Sequence, residues 1–121
     1  AMFAAGNKVD NLISTIDYNG RQIDGDVDKV LPLGNLRAKF ESFGWKVLEI
    51  TQGNDMDAVL KGMNEAKAAT GKGQPICVIL HTEMGAGIDF MVGSHKWHGV
   101  APNNEQLAQA LAQQAETLGD Y

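Results

Sequence analysis

The sequence predicts an α/β fold built on a parallel sheet with helices on both faces. Three short runs are mainly apolar and do not follow a strict alternation of apolar and polar residues, a pattern typical of strands that are covered on both sides. Helical patterns lie between these runs, so that strands and helices alternate along the chain. Of the 121 residues, 44% are hydrophobic and 21% are charged, which is close to the average for globular domains and excludes general disorder.

The three predicted strands are residues 12–16, 47–50 and 76–80. Residues 1–6 precede the first strand. Their composition is typical of the last turns of a helix, and Gly6 is the expected end of that helix. We therefore expect this segment to be the remnant of a preceding helix, in a sequence that starts partway through a domain.

A first full helix is predicted between the first two strands. Asn35 can cap its N-terminus, Leu36, Phe40 and Phe43 supply its apolar positions, and Gly44 is the expected stop. This places one helix in the connection that leads to the second strand.

Two further helices follow. Asn54 or Asp55 can cap the first of them, and a last helix covers residues 104–118. The apolar positions of the former follow the i, i+3, i+4, i+7 spacing and are Met56, Val59, Leu60 and Met63. The apolar face of the latter consists of Leu107, Leu111, Ala115 and Leu118.

Composition argues against two classes of partner. Ten Lys and Arg against 15 Asp and Glu give a net charge of -5 without a basic block, which disfavours nucleic-acid binding. No apolar run approaches the roughly 20 residues that a membrane span needs.

Cys77 is the single cysteine, so no internal disulfide can form, which is consistent with a cytoplasmic location. Its apolar surroundings predict a small buried side chain.

The first of two long loops follows the first strand and reads DYNGRQIDG over residues 17–25. Ligands of open α/β sheets bind beyond the carboxyl ends of strands, where this loop is expected. Asp17, Asn19 and Asp24 offer the oxygen ligands that Mg²⁺ and Ca²⁺ prefer. Asn-Gly and Asp-Gly are also common turn sequences, and both interpretations stay open from the spacing alone.

The second long loop follows the third strand and contains residues 82–87 and 93–99. Its glycines permit close backbone approach to a ligand, and its main-chain N–H groups could hold a phosphate. It is not a dinucleotide fingerprint, because Phe90 stands where the third glycine belongs. Three histidines lie in or beside this loop without the spacing of a zinc site: His81, His95 and His98.

Four segments together resemble the transketolase family, above all the N-terminal subunit of its two-chain bacterial and archaeal type. They are VDNL at 9–12, DYNGRQIDG at 17–25, FGW at 43–45 and WHGVAP at 97–102. The resemblance extends over essentially the whole chain. It implies that residues 1–121 are the C-terminal portion of a thiamine-diphosphate-binding domain, with the parallel-sheet fold of that domain in partial form.

Transketolases use thiamine diphosphate and a divalent metal to move two-carbon ketol units between sugar phosphates. By this resemblance, the Asn19 side chain binds Mg²⁺ or Ca²⁺ and contacts the diphosphate, and the backbone carbonyl of Arg21 is a further metal ligand. Ile23 is implied to pack beside the thiazolium ring, and Met84 to line the cofactor where many relatives have lysine. His98 resembles the catalytic histidine that contacts the diphosphate and the donor sugar.

The chain departs from the family pattern upstream of its asparagine. The family motif opens with Gly-Asp-Gly, and no such triplet precedes Asn19. The resemblance implies that the missing aspartate ligand lies in an absent N-terminal segment. It implies further that the glutamate that activates the cofactor lies in a pyrimidine-binding domain or subunit. The sequence also reads Gly53-Asn54-Asp55 where relatives often have Gly-His-Asp.

The sequence therefore predicts part of a cytoplasmic transketolase that acts on sugar phosphates within a homo- or hetero-oligomer and is inactive alone. A non-catalytic assembly module is one alternative. A fragment of a related enzyme, such as deoxyxylulose-phosphate synthase, is another.

Overall fold

A computed structural model describes residues 1–114, which form a three-stranded parallel sheet with helices on both faces. The predicted alternation of strands and helices is confirmed. The elements are α1 (Met2–Gly6), β1 (Ile13–Tyr18), β2 (Arg21–Gln22), β3 (Gly25–Asp26), α2 (Val27–Val30), α3 (Leu36–Ser42), β4 (Lys46–Ile50), α4 (Met56–Ala69), β5 (Ile76–His81), a 3₁₀ helix (His95–Trp97) and α5 (Asn104–Gln113).

The sheet has the order β1-β5-β4, with both neighbours parallel to β5. β5 is the central strand, and its first four residues are buried, whereas no residue of β1 is. The three predicted strands are confirmed. β1 and β5 extend beyond their apolar runs because backbone pairing continues through Asp17 opposite Leu80 and Tyr18 opposite His81.

Each face of the sheet has its own apolar core. On one face α4 packs on the sheet, and the buried residues are Ile50, Ala66, Ala69, Ile76 and Val78. On the other face α1 and α3 contribute, and the buried residues are Trp45, Val47, Cys77 and Ile79. The predicted burial of Cys77 is confirmed.

Only two of the four residues predicted for the apolar face of α4 pack against the sheet. Val59 and Met63 pack against the sheet, but Met56 is 68% and Leu60 55% exposed. The stripe that contacts the sheet continues through the small residues Ala66 and Ala69, which let the helix lie close to the strands. Met56 and Leu60 fall at the margin of that stripe because successive helical residues are rotated by about 100°.

The predicted caps are confirmed in position and geometry. The Asn35 side chain accepts a hydrogen bond from Ala38 N at 2.9 Å, and Asp55 accepts one from Ala58 N at 2.7 Å. Gly44, the stop after α3, has a φ of 87°, a conformation that favours glycine. The last predicted helix begins at Asn104 after an Asn103 cap but ends at Gln113, short of the predicted residue 118, because the backbone of Gln114 is extended with a ψ of 138°.

The two ends of the described chain carry exposed apolar side chains. Met2 and Phe3 of α1 are 71% and 79% exposed, and Leu107 and Leu111 of α5 are 46% and 65% exposed. The remaining members of the predicted face of the last helix, Ala115 and Leu118, lie outside the described residues. Across residues 1–114, no helix has the length and apolar character needed to cross a membrane.

Candidate functional site

The carboxyl ends of the three parallel strands lie at one edge of the sheet, and the candidate loops begin there. Asn19 directly follows β1, and Thr82 directly follows β5, its neighbour. The turn that leads from β4 into α4 begins at the same edge with Thr51. The structure therefore brings the first long loop and the start of the second together.

Thr82 joins these two loops directly. Its hydroxyl donates a hydrogen bond to the Asp17 carboxylate, and its backbone N–H donates to Tyr18 O at 3.3 Å. The rings of Tyr18 and His81 meet edge to face beside these bonds, with their centroids 5.5 Å apart. The end of β1 is thus tied to the end of β5 by both backbone and side chains.

Asn19 folds the first loop into a tight turn. Its side-chain oxygen accepts a hydrogen bond from Arg21 N at 2.9 Å, and Gly20 takes a φ of 70°. The turn interpretation of the Asn-Gly pair is therefore confirmed. The cation interpretation is compatible with it, because an amide oxygen has two lone pairs and the N–H bond uses only one.

The loop continues into a small hairpin that the sequence did not predict. β2 and β3 pair antiparallel, with Arg21 opposite Asp26, and Ile23 lies at the tip with 67% of its surface exposed. The Arg21 guanidinium pairs with the Asp26 carboxylate, which also binds Lys29 Nζ at 2.9 Å. These ion pairs hold the Arg21 side chain along the hairpin.

A cleft of about 380 Å³ lies on this loop. Its lining residues are Tyr18, Asn19, Gly20, Arg21, Asp26, Val27, Asp28 and Lys29. The cleft contains both predicted metal residues, Asn19 and Arg21. Between residues 1 and 114, no group of three or more His, Cys, Asp and Glu side chains could hold a metal. A cation here would combine the hard oxygen of Asn19 with other oxygens, such as backbone carbonyls, waters and the oxygens of a phosphate ligand.

On the side away from β1, the start of the second long loop is also hydrogen-bonded to the turn that follows β4. Gly53 N donates to His81 O at 2.8 Å, and Glu83 N donates to the Asn54 side chain at 2.7 Å. Met84 follows as a half-buried residue before Gly85, which has a φ of 76°. The predicted cofactor residue Met84 therefore lies in a segment that is held by both neighbouring strand ends.

His98 is exposed and lies at the end of the 3₁₀ helix. The preceding Trp97 anchors this segment, since its indole N–H donates to Phe90 O at 2.9 Å and the two rings are 5.3 Å apart. In the described part of the chain, no hydrogen bond links the His98 ring to the Asn19 loop. The catalytic assignment of His98 remains a prediction.

A polar network that the sequence did not reveal lies beside the site. Arg37 Nε donates to Glu49 at 2.8 Å, and Glu49 lies 3.3 Å from His81 Nε2. The hydrogen bond from Arg37 holds the pKa of Glu49 below its usual value. These side chains and Tyr18 line a cavity of about 180 Å³. No sequence motif could have indicated them, because three separate elements supply the network.

Comparison with protein families gives one match over nearly the whole chain. The family described as "Transketolase, thiamine diphosphate binding domain" matches residues 1–117.

Curated relatives agree with this match. The chain is 35% identical over 116 residues to one subunit of the apulose-4-phosphate transketolase from Phocaeicola vulgatus, an alignment that covers 94% of this chain and 40% of the relative. It is 37% identical over 113 residues to 6-deoxy-6-sulfo-D-fructose transketolase subunit SqwG from a Clostridium species, with 93% and 40% covered. The chain thus spans about two-fifths of the length of these relatives.

Solved structures agree as well. Transketolase from Campylobacter jejuni superposes with a TM-score of 0.82 at 32% identity, over 93% of this chain and 17% of that one. Transketolase from Leishmania mexicana gives a TM-score of 0.82 at 27% identity, over 93% and 16%. The parallel-sheet fold is therefore that of the corresponding part of these enzymes.

Proposed function

Because the chain belongs to the transketolase family, as part of its thiamine-diphosphate-binding domain, we propose that it forms part of an enzyme that transfers two-carbon ketol units between sugar phosphates. One observation carries the proposal. The sheet sets the Asn19 loop beside the Met84 loop at its carboxyl edge, and Thr82 and Asp17 tie the two together. Open α/β sheets bind their ligands at this edge.

The residues of the two loops fit thiamine diphosphate and a divalent metal. The Asn19 oxygen retains a lone pair for Mg²⁺ or Ca²⁺, and the Arg21 backbone would supply a second oxygen. The metal would neutralise the diphosphate in the cleft beside Asn19.

The remaining residues would contact the organic part of the cofactor and the substrate. Ile23 offers an exposed apolar side chain to the thiazolium, and Met84 would line the cofactor. When bound, the cofactor supplies the carbon nucleophile that carries the two-carbon unit. His98 would donate a hydrogen bond to the diphosphate and exchange a proton with the donor sugar, because an imidazole ring can both donate and accept a proton.

The chain would work only together with other segments. In residues 1–114 no group of three or more His, Cys, Asp and Glu side chains could hold a metal, and by the family resemblance an aspartate ligand and the activating glutamate lie elsewhere. We propose that a preceding segment and a pyrimidine-binding domain or subunit complete the site in a homo- or hetero-oligomer. The isolated chain would then be inactive.

Native mass spectrometry tests the proposal. The chain is mixed with the segments expected to complete it, with and without thiamine diphosphate and Mg²⁺. The complex should gain the mass of the cofactor only when the metal is present, and it should then transfer ketol units. Asn19→Ala should abolish the gain, whereas Asn64→Ala, the same change at an exposed position of α4, should not. A complete wild-type complex that takes up no cofactor would refute the proposal.

A non-catalytic assembly module is the second candidate function. By the family resemblance, Met84 stands where many relatives have lysine and offers no charge to a phosphate, which favours this candidate. The same measurement separates the two candidates, because an assembly module would form the complex without gaining cofactor mass. The relatives described above are all named as transketolases, which favours this family over deoxyxylulose-phosphate synthase.

A further inference from the structure

The link between the two loops depends on one pair of side chains. Thr82 and Asp17 lie 65 residues apart in the chain and meet at the ends of adjacent strands. Asp17 comes two residues before Asn19, and Thr82 comes two residues before Met84. Any change in this pair therefore acts on both loops close to the residues proposed to bind the cofactor.

The Thr82 side chain is held in a single orientation. A Cβ added at Gly53 would lie 2.7 Å from Thr82 Cγ2, so the methyl group packs closely on the backbone of the β4–α4 turn. The hydroxyl points the other way, to the Asp17 carboxylate. Because threonine is branched at Cβ, packing of the methyl group also fixes the direction of the hydroxyl.

We propose that Thr82 and Asp17 are positioning residues. Their hydrogen bond fixes the position of the Asn19 turn relative to the Met84 loop. In this arrangement Asp17 acts through the backbone and does not itself contact the metal. The consequence for the cofactor rests on the proposed function, whereas the ordering of the Asn19 turn does not.

Substitutions at Thr82 separate its hydroxyl from its shape. Thr82→Val keeps the branched outline and loses the donor, whereas Thr82→Ser keeps the donor and loses the methyl group. Asp17→Ala removes the acceptor from an exposed position, so the bond can be deleted from either side if one variant fails to fold.

Hydrogen exchange on the full chain, without cofactor, tests the ordering. The Arg21 amide reports the turn, because the Asn19 side chain accepts its hydrogen bond. Its exchange should accelerate about three- to tenfold in Thr82→Val and in Asp17→Ala, the effect of losing one hydrogen bond. Thr82→Ser should stay close to the wild type. Unchanged exchange in folded Thr82→Val would overturn the proposal.

Cofactor titration of the complete complex tests the consequence. In the presence of Mg²⁺, Thr82→Val and Asp17→Ala should each weaken the apparent Kd for thiamine diphosphate by about three- to tenfold. The double variant should be no weaker than either single one, because both remove the same bond.

Two results of the titration would overturn the proposal. Weak binding in Asp17→Ala with normal binding in Thr82→Val would show that Asp17 contacts the metal or cofactor itself. Additive losses in the double variant would show that the two residues act separately. If the wild-type complex binds no cofactor, the proposed function fails, and the exchange of the Arg21 amide still decides whether the pair orders the turn.

Discussion

Gly53 lies where the turn between β4 and α4 presses against the end of β5. Its N–H donates to His81 O at 2.8 Å. A Cβ at this position would lie 2.6 Å from His81 O and 2.7 Å from Thr82 Cγ2. Both distances are below 3.0 Å, closer than Cβ atoms approach their neighbours in real structures. The carbonyl oxygen belongs to the sheet and cannot rotate away, so the turn itself must move.

Gly53→Ala is therefore expected to lower the free energy of unfolding by about 1–3 kcal/mol, the usual cost of forcing an extra carbon into a packed site. Displacement of the turn would also weaken the hydrogen bond to His81 O, which accounts for about 0.5–1.5 kcal/mol of that total. Gly6→Ala is the matched control, because a Cβ there meets nothing within 4 Å. Gly6 lies in α1, where alanine should add stability of up to about 1 kcal/mol.

Urea unfolding of the wild type and both variants measures these differences, with circular dichroism and tryptophan fluorescence as independent probes. The midpoint should fall for Gly53→Ala and stay level or rise for Gly6→Ala. If the two variants unfold with free energies within about 0.5 kcal/mol of each other, a typical surface effect, the steric argument is wrong.

Three further predictions concern a cap, an ion pair and a thiol. Asp55→Ala should cost about 1 kcal/mol in urea unfolding and Asp55→Asn much less, because asparagine still caps Ala58 N; equal losses would contradict the capping role. Arg37 lowers the pKa of Glu49. The ion pair between these residues therefore stabilises the fold at pH values above 4.5, the usual pKa of this carboxyl, and the stabilisation is lost as the pH falls through the lowered pKa. Glu49→Gln should accordingly flatten the pH dependence of stability in this acidic range, and an unchanged slope would exclude the pair as its source. Burial raises the pKa of the Cys77 thiol, so a disulfide reagent should modify it far more slowly in the native protein than in urea; equal rates would show that β5 opens readily.

The sequence was a good guide to elements that local patterns define. The strands contain short, mainly apolar runs, and the caps at Asn35 and Asp55 are local signals within one turn of helix. It was a poor guide to the face of α4, because counting large apolar residues favoured Met56 and Leu60 over the small Ala66 that contacts the sheet. Small side chains carry little hydropathy and yet decide how close a helix can lie.

The site was predictable only in part, for a similar reason. Asn19 and the glycines of the loops are marked by composition and by resemblance, and the structure places their loops at one edge. The bond from Thr82 to Asp17 and the network of Arg37 and Glu49 depend on strand register between distant segments. Register of this kind is a property of the whole sheet and leaves no local trace in the sequence.

The order of strands in the sheet has a consequence for folding. β4, α4 and β5 are consecutive in the chain, whereas β1 reaches its place beside β5 only by closing a much longer loop. Because closing a long loop costs conformational entropy, strands that are far apart in the chain pair more slowly. We therefore expect β1 and the Asn19 turn to dock last. A ligand bound across the junction of β1 and β5 would then stabilise the latest and most easily opened step of folding. Resistance of the protein to unfolding should rise with ligand concentration for this reason.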